Sequence, residues 1–182
     1  MKMNTLLRHV CLAGAFVTLS ACPTPTPTPT EPVTMATATI ESRSTSTVTG
    51  SASFEQVGNK VKVVVEISGA TAGQHGLHIH EKGDCSDPAG KSAGDHFNPG
   101  KVDHGGPDKP AHHAGDFGNM TIAEDGKGRM EVELDSVSVS QGENAILGRA
   151  IVFHEKPDDL TTQPSGNSGA RQGCGVIKPL KK

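Results

Sequence analysis

A run from Val61 to Ile67 with an apolar residue at every second position restricts the possible fold more than any other feature of the chain. Val61, Val63, Val65 and Ile67 fill these positions, and Lys62, Val64 and Glu66 lie between them. Successive side chains of a β-strand point to opposite faces, so the run predicts a strand with one buried face. The Gly-Asn pair at positions 58–59 precedes the run and predicts a hairpin turn.

The chain after residue 33 keeps this β texture and shows no helical period of useful length. The whole sequence contains 22 Gly, which allow tight turns, but no Trp or Tyr, so small aliphatic residues must form most of the core. Besides the run at 61–67 and a run ending at His80, the predicted strands are Ala36–Ile40, Ser46–Phe54, Phe117–Ile122, Met130–Leu134, Ala145–His154 and Cys174–Ile177. About eight strands predict an all-β Greek-key sandwich or flattened barrel.

Histidines are concentrated near the ends of these runs. His78 and His80 lie two apart on one predicted strand, so both imidazoles point to the same face and suit a metal ion. One such pair is more often two surface histidines, and the prediction therefore depends on further ligands. The chain offers His75, His96, His104, His112, His113 and His154, and Asp116 adds a carboxylate. Such an imidazole-rich set suits copper and zinc.

Two long polar segments separate the later strands. Residues 81–115 contain mostly Gly, Pro, Asp, His and Lys, and residues 155–173 form a second segment of this kind. Loops of this length without secondary structure are uncommon inside a compact domain unless they are functional. We therefore expect the first loop to carry function, and a metal site or a disulfide would hold it in order.

The first 21 residues are typical of a signal peptide. Lys2 and Arg8 form a positive region, and Val10–Leu19 is an apolar run too short to span a bilayer. The following Ser-Ala-Cys resembles a bacterial lipobox, which predicts lipidation of Cys22; the alternative is simple cleavage that leaves a free thiol. The PTPTPTPT repeat within residues 22–33 predicts an extended linker to a domain at residues 34–182. The predicted location is the periplasm or cell envelope.

Cysteine usage and charge agree with export. Cys85 and Cys174 remain once Cys11 leaves with the leader and Cys22 carries lipid; an even pair predicts a disulfide, with two buried thiols as the alternative. Without Lys2 and Arg8 the chain carries 15 basic and 20 acidic residues. This balance argues against a nucleic-acid partner. Contact with a membrane is predicted only through the anchor.

Six motifs support a family assignment. They are HGLHIHEKGD, SAGDHFNPG, DHGGP, HHAGDFGNM, ILGRAIVFHEKPDDL and GNSGARQGCGVI. In this order, over roughly residues 47–177, they resemble the motifs of copper–zinc superoxide dismutases. The resemblance implies an eight-stranded Greek-key flattened β-barrel, an immunoglobulin-like sandwich, with two long functional loops. It also implies one copper and one zinc as cofactors, and superoxide as the substrate.

The resemblance assigns side chains to two metal sites that share one histidine. The implied copper ligands are His78, His80, His96 and His154, and the implied zinc ligands are His96, His104, His113 and Asp116. It implies further that His75 braces the site, that Asp158 hydrogen-bonds ligand histidines of both sites, and that Arg171 guides superoxide beside copper. Cys174 matches one end of the family disulfide, and His112 is an extra histidine.

Some features depart from the eukaryotic pattern of this family. Cys85 comes early in the first loop, as in bacterial exported members, and the second loop is short and carries few charges. Lys82 and the C-terminal KPLKK replace apolar residues of the eukaryotic dimer seam. We expect either a monomer or a bacterial-type homodimer, and not the eukaryotic dimer.

The predicted function is the dismutation of superoxide to dioxygen and hydrogen peroxide, with protection of the cell envelope. A protein for copper or zinc storage or delivery on the same fold is one alternative; it would need no Arg171 and could lack a copper ligand. A structural β-domain with surface histidines is another, and it predicts no stoichiometric metal. Metal content and superoxide consumption distinguish the three.

Overall fold

The structure, a computed structural model, describes residues 32–180. The predicted signal peptide, the predicted lipidation at Cys22 and almost all of the predicted linker lie outside these residues. The strands are β1 Met35–Ser42, β2 Thr49–Val57, β3 Lys60–Ser68, β4 Gly73–His80, β5 Asp116–Ile122, β6 Lys127–Leu134, β7 Ala150–His154, β8 Arg171–Val176 and the two-residue β9 Lys178–Pro179. The helical structure in the described part is a single 3₁₀ turn at Lys91–Ala93. No helix there is long and apolar enough to cross a membrane.

The strands form one antiparallel sheet that curls into a barrel. The hydrogen-bonded order is β5-β4-β7-β8-β1-β2-β3-β6, and β9 pairs with β1. The two ends of this path, β5 and β6, follow each other in the chain, so the barrel is nearly closed. β1 joins the two halves because it pairs with β2 along most of its length and with β8 at Glu41 and Ser42. The predicted all-β Greek-key barrel is confirmed, and β9 is an addition to the eight predicted strands.

The core lies between the two halves of the barrel. The alternation in β3 predicts its inner face correctly, since Val61, Val63, Val65 and Ile67 are each exposed by 2% or less. Phe54, Phe117 and Phe153 are the largest apolar side chains buried with them. Burial of each such side chain contributes about 1.5–3 kcal/mol before the entropy of ordering is counted.

The boundaries of two later elements differ from the prediction. The strand predicted from Ala145 begins only at Ala150, because Gly148 has a left-handed φ of 80° and the preceding residues form a turn. The side chain of Arg149 in this turn stacks on the Phe97 ring, with its guanidinium carbon 3.5 Å from the ring centroid. β8 begins at Arg171 and not at Cys174, so the second loop ends at residue 170.

The connection at 135–144 also contributes to the core. It is polar in composition, yet Val137 and Val139 are buried with the barrel residues. Val139 is fixed by its backbone N–H, which donates to the Gln56 side chain at 2.9 Å. The two valines therefore cover one end of the barrel without belonging to a strand.

A disulfide attaches the first loop to the barrel. Cys85 and Cys174 are bonded, with their Cα atoms 5.8 Å apart and a sequence separation of 89. The predicted disulfide is therefore confirmed. Backbone hydrogen bonds hold the same loop further along, where Phe97 N–H donates to Ile79 O at 2.8 Å and Gly115 N–H donates to Phe97 O at 3.0 Å.

Replacing both bonded cysteines by serine, as Cys85→Ser with Cys174→Ser, should lower the free energy of unfolding. The two cysteines are 89 positions apart in the sequence, and the chain-entropy relation for a loop of this length gives about 4.6 kcal/mol. Denaturant unfolding of the variant and of the wild type with its disulfide intact, both free of metal, measures the difference in the free energy of unfolding. A loss below about 1 kcal/mol would contradict a major role of this bond in stability.

Candidate metal centre

Strand β4 has different surroundings on its two faces. Leu77 and Ile79 belong to the apolar core. His78 and His80 point the other way, where the long loops cover the barrel, and are exposed by only 0% and 1%. The two-residue spacing thus places both imidazoles on one face, as the sequence predicts.

The first group of donor atoms lies on the outer face of β4 and at the end of β7. His78, His80, His96 and His154 each offer a ring nitrogen, and these atoms all lie within 4.8 Å of one another. The Nε2 atoms of His80 and His154 are 3.4 Å apart. All four residues are buried, and their nitrogens face a common point.

The second group lies against the first. His96, His104, His113 and Asp116 also place donor atoms within 4.8 Å of one another. His104 Nδ1 is 2.9 Å from Asp116 Oδ2, and His113 Nδ1 is 3.4 Å from Asp116 Oδ1. His96 belongs to both groups: its Nδ1 lies 2.8 Å from Asp116 Oδ1, and its ring centroid lies 3.9 Å from that of His78.

Four ring nitrogens in these groups have no hydrogen-bond partner. They are His78 Nδ1, His96 Nε2, His104 Nδ1 and His113 Nδ1, and all are buried. Buried polar atoms almost always have a partner, and leaving one unsatisfied costs roughly 1–3 kcal/mol. Each of these atoms points into one of the two donor groups, so a metal ion in each group would satisfy them. The residues present therefore fit two metal ions.

Asp158 connects the two groups. Its Oδ2 accepts a hydrogen bond from His78 Nε2 at 2.8 Å, and its Oδ1 accepts one from His104 Nε2 at 2.9 Å. These bonds fix both rings with Nδ1 free for a metal. Asn119 holds Asp158 in turn, because its side chain accepts from the Asp158 N–H at 2.7 Å and donates to the Asp158 carbonyl at 2.8 Å.

His75 lies beneath the first group as a brace. Its Nδ1 is 2.9 Å from the carbonyl oxygen of His154, and its Nε2 is 2.9 Å from that of Thr71. The ring also stacks on Phe153, with the centroids 4.9 Å apart. His75 contributes no atom to either donor group, and its contacts fix the backbone at the end of β7.

Arg171 reaches the same region from the start of β8. Its Nη1 donates to Gly90 O at 2.8 Å and its Nη2 donates to Gly94 O at 2.7 Å. Gly94 O also accepts from His80 Nδ1 at 2.9 Å. A cavity of about 390 Å³ opens here; its lining includes His80, His96, His113, His154 and Arg171. One wall of the first donor group therefore faces solvent beside a guanidinium.

Burial determines the protonation of the first group. It lowers the pKa of His78 to about 4, against the opposing hydrogen bond from Asp158. Burial also lowers the pKa values of His80 and His154 to well below the ordinary value, and the neighbouring histidines add to the effect. These imidazoles are neutral at neutral pH, as a metal ligand must be.

The second group carries negative charge. Burial alone would raise the pKa of Asp116, but the adjacent rings of His104, His113 and His96 hold it far below the ordinary range. At His104 burial opposes protonation, yet the adjacent carboxylates of Asp116 and Asp158 outweigh it and raise the pKa to about 9. A positive charge is thus favoured within the second donor group. In the metal-free protein, a proton on His104 supplies that charge.

The proposed metal ligands lie in these groups, and His75, Asp158 and Arg171 lie beside them. Cys85 and Cys174 form the disulfide, and Cys22 lies outside the described part of the chain. His112 is the histidine that stays apart: its Nδ1 donates to the carbonyl of His113 at 2.8 Å. Sequence reasoning missed Asn119 and Gln163, whose side chain binds the backbone N–H and C=O of His104 at 2.8 and 2.9 Å. The sequence around an Asn or Gln in a strand or loop does not indicate that its side-chain amide holds a site residue in place.

An antiparallel barrel with two adjoining imidazole-rich donor groups defines a protein that binds two transition-metal ions. Residues 48–177 match the family model described as copper/zinc superoxide dismutase. The extracellular Cu-Zn superoxide dismutase of Caenorhabditis elegans is 42% identical over 139 residues, which are 73% of this chain and 62% of that protein. The Cu-Zn superoxide dismutase of Deinococcus radiodurans is 41% identical over 143 residues, 72% of this chain and 78% of that one.

The crystal structure of the clock protein EA4 aligns with a TM-score of 0.74 and 41% identity, over 83% of this chain and 97% of that chain. The chain belongs to the copper/zinc superoxide dismutase family. It is an oxidoreductase of that class, and its cofactors are copper and zinc, which the two donor groups fit.

The metal-free protein should lose stability as the pH falls below about 6.5. The pKa of His78 is 6.5 unperturbed and about 4 when folded, so the unfolded chain takes up a proton first and acid favours unfolding. His78 alone accounts for about 2 kcal/mol at pH 5, and His80 and His154 act in the same direction. Urea unfolding of the chelator-treated protein between pH 7 and 5 measures the effect.

Substituting His78→Gln should make this pH dependence shallower, because one buried imidazole is removed. His112→Gln is the matched control, since that ring lies outside both donor groups and should leave the dependence unchanged. A free energy of unfolding that stays constant across the interval in the wild type would show that the buried rings are not held neutral.

Proposed function

We propose that His78, His80, His96 and His154 hold copper, and that His96, His104, His113 and Asp116 hold zinc, with His96 bridging the two metals. The observation that carries this proposal is that the donor groups share His96, whose Nε2 is buried without a partner. The carboxylate is in the second group, and zinc accepts carboxylate together with imidazole. The first group consists of imidazoles alone and opens to the cavity, as a redox-active copper requires.

The reaction is the dismutation of superoxide to dioxygen and hydrogen peroxide. Copper, when bound, supplies the one-electron chemistry that oxidises one superoxide and reduces the next, with two protons taken up. His96 belongs to the lining of the cavity, and we assign to its Nε2 the uptake and return of one of these protons. His80 keeps its orientation through the bond from Nδ1 to Gly94 O.

Arg171 positions the substrate. Its guanidinium is held by two carbonyls of the first loop, so the remaining part of the planar cation faces the cavity in a fixed orientation. A fixed guanidinium suits a small anion better than a flexible lysine. Asp158 and His75 orient the ligand rings and exchange no atom with the substrate.

Metal content and superoxide consumption test the function together. The protein, purified with its disulfide intact and reconstituted, should contain one copper and one zinc per chain and should consume superoxide rapidly. Substituting His96→Ala should disturb both metals, because one side chain serves both groups; His112→Ala is the matched control.

Three other results of these measurements would contradict parts of the proposal. Two bound metals without dismutation would support storage or delivery on the same fold. Absence of bound metal after reconstitution would leave a structural β-domain. Loss of only one metal in the His96→Ala variant would contradict the bridge.

We also propose that the protein is exported and anchored as a bacterial-type lipoprotein that protects the cell envelope. The signal-like residues 1–21, the lipobox at Cys22 and the Pro-Thr repeat support this arrangement. The disulfide supports an oxidising compartment, and one relative is described as extracellular. Lys82 and Lys178 are exposed where the eukaryotic dimer needs apolar residues, which supports a monomer or a bacterial-type homodimer.

Substituting Cys22→Ala should release the protein from membrane fractions of the expressing cells, because the only predicted attachment site for lipid is removed. Fractionation of wild type and variant with immunodetection measures the change, and Cys11→Ala is the matched control. A wild type already found wholly in the soluble fraction would show that the lipobox is not used.

A further inference from the structure

The entrance to the cavity carries charges of both signs. Arg171 contributes the cation, and Glu81 and Asp95 contribute carboxylates to the same lining. The proposed substrate is an anion, so charges at the entrance change the rate at which it is captured. The role argued for these charges therefore rests on the proposed function.

The carboxylate of Glu81 is largely compensated. Its Oε1 lies 3.5 Å from Lys82 Nζ. The Arg149 guanidinium is also close, because its Nη1 donates to the Glu81 carbonyl at 2.9 Å. Two neighbouring cations weaken the field of Glu81 at the entrance.

Asp95 has no such compensation. It is exposed, and within residues 32–180 no cation lies within 4.0 Å of its carboxylate. Its carbonyl accepts from the Glu81 N–H at 2.9 Å, which fixes the backbone directly before His96. The backbone of Asp95 is therefore held at the entrance, and its carboxylate belongs to the lining there.

The charge of Asp95 acts on Arg171. Burial lowers the pKa of Arg171, and the carboxylates of Asp95 and Asp87 oppose this change. Asp87 is engaged elsewhere, because its Oδ1 accepts from the N–H groups of Ala89 and Lys91 at 2.9 Å each. Of these two carboxylates, Asp95 is the one that belongs to the lining of the cavity.

The second loop does not restore a positive field. Lys156 is the single Lys or Arg in residues 155–170, and it is not part of the cavity lining. The protein as a whole has a formal net charge of −3 at pH 7. Attraction of an anion thus depends on Arg171 and the bound metals, and Asp95 acts against it.

We propose that Asp95 is a specificity-determining residue whose carboxylate weakens the capture of small anions at the cavity entrance. It offsets part of the attraction that Arg171 exerts, and it thereby limits the rate at which superoxide reaches the site. The residue touches neither metal and acts only through its charge.

Substituting Asp95→Asn tests this in the copper- and zinc-loaded protein. One unit charge several ångströms from the approach path changes the rate by about two- to three-fold at low ionic strength, so the second-order rate constant for superoxide should rise by that factor. The gain should shrink towards the ionic strength of physiological buffer, where charges are screened over about 8 Å. Asp95→Lys should give a larger rise and a stronger decline with salt.

A second readout does not depend on turnover. Azide, a small anion that binds Cu(II), can be titrated spectroscopically, and its affinity should increase in Asp95→Asn by the same factor and with the same dependence on salt. Glu143→Gln is the matched control, because it removes one exposed carboxylate far from the lining. Metal content is measured in every variant.

The outcomes separate the two proposals. If Asp95→Asn with both metals bound matches Glu143→Gln in azide affinity and salt dependence, Asp95 has no such role. If the wild type binds both metals without consuming superoxide, the proposed function fails, and the azide titration still decides the role of Asp95.

Discussion

The carboxylate of Asp158 is the contact on which both donor groups depend. One oxygen accepts from His78 and the other from His104, so a single side chain of the second loop orients a ring in each group. Burial alone would raise the pKa of Asp158, and its hydrogen bonds with His104 and His78 instead hold it well below the ordinary range. The charge is therefore retained inside the protein, where it raises the basicity of the rings that it orients.

Space around this carboxylate is restricted by the backbone of the same loop. A Cβ atom added at Gly166 would collide with the Asp158 carboxylate, and Gly166 also adopts a left-handed φ of 64°. The glycine serves both the turn and the close approach. Asn119 on β5 holds the backbone of Asp158 from the barrel side. The second loop is thus positioned by hydrogen bonds with little help from apolar packing, since it is short and polar.

The sequence predicts the fold and the donor residues because each leaves a periodic or chemical pattern. The alternation in β3 and the spacing of His78 and His80 follow from the two-residue repeat of a strand. The site also depends on backbone atoms, such as Gly94 O, and on amides, such as Gln163, that have no compositional signature. The late start of the strand predicted at 145–154 has a similar cause: Ile146 is buried as a strand residue would be, but Gly148 breaks the strand geometry.

The first loop contributes to the orientation of Arg171, to the charge at the cavity entrance and to metal binding. The disulfide fixes it to β8 three residues after Arg171, while Gly90 and Gly94 of the loop accept the hydrogen bonds of that guanidinium. The same loop carries Asp95 and the shared His96. The orientation of the cation, the opposing carboxylate and the ring common to both donor groups therefore depend on one covalently fixed segment. A change in the position of this loop would alter anion capture and metal binding together, whereas a change of charge at Asp95 alone should alter only capture.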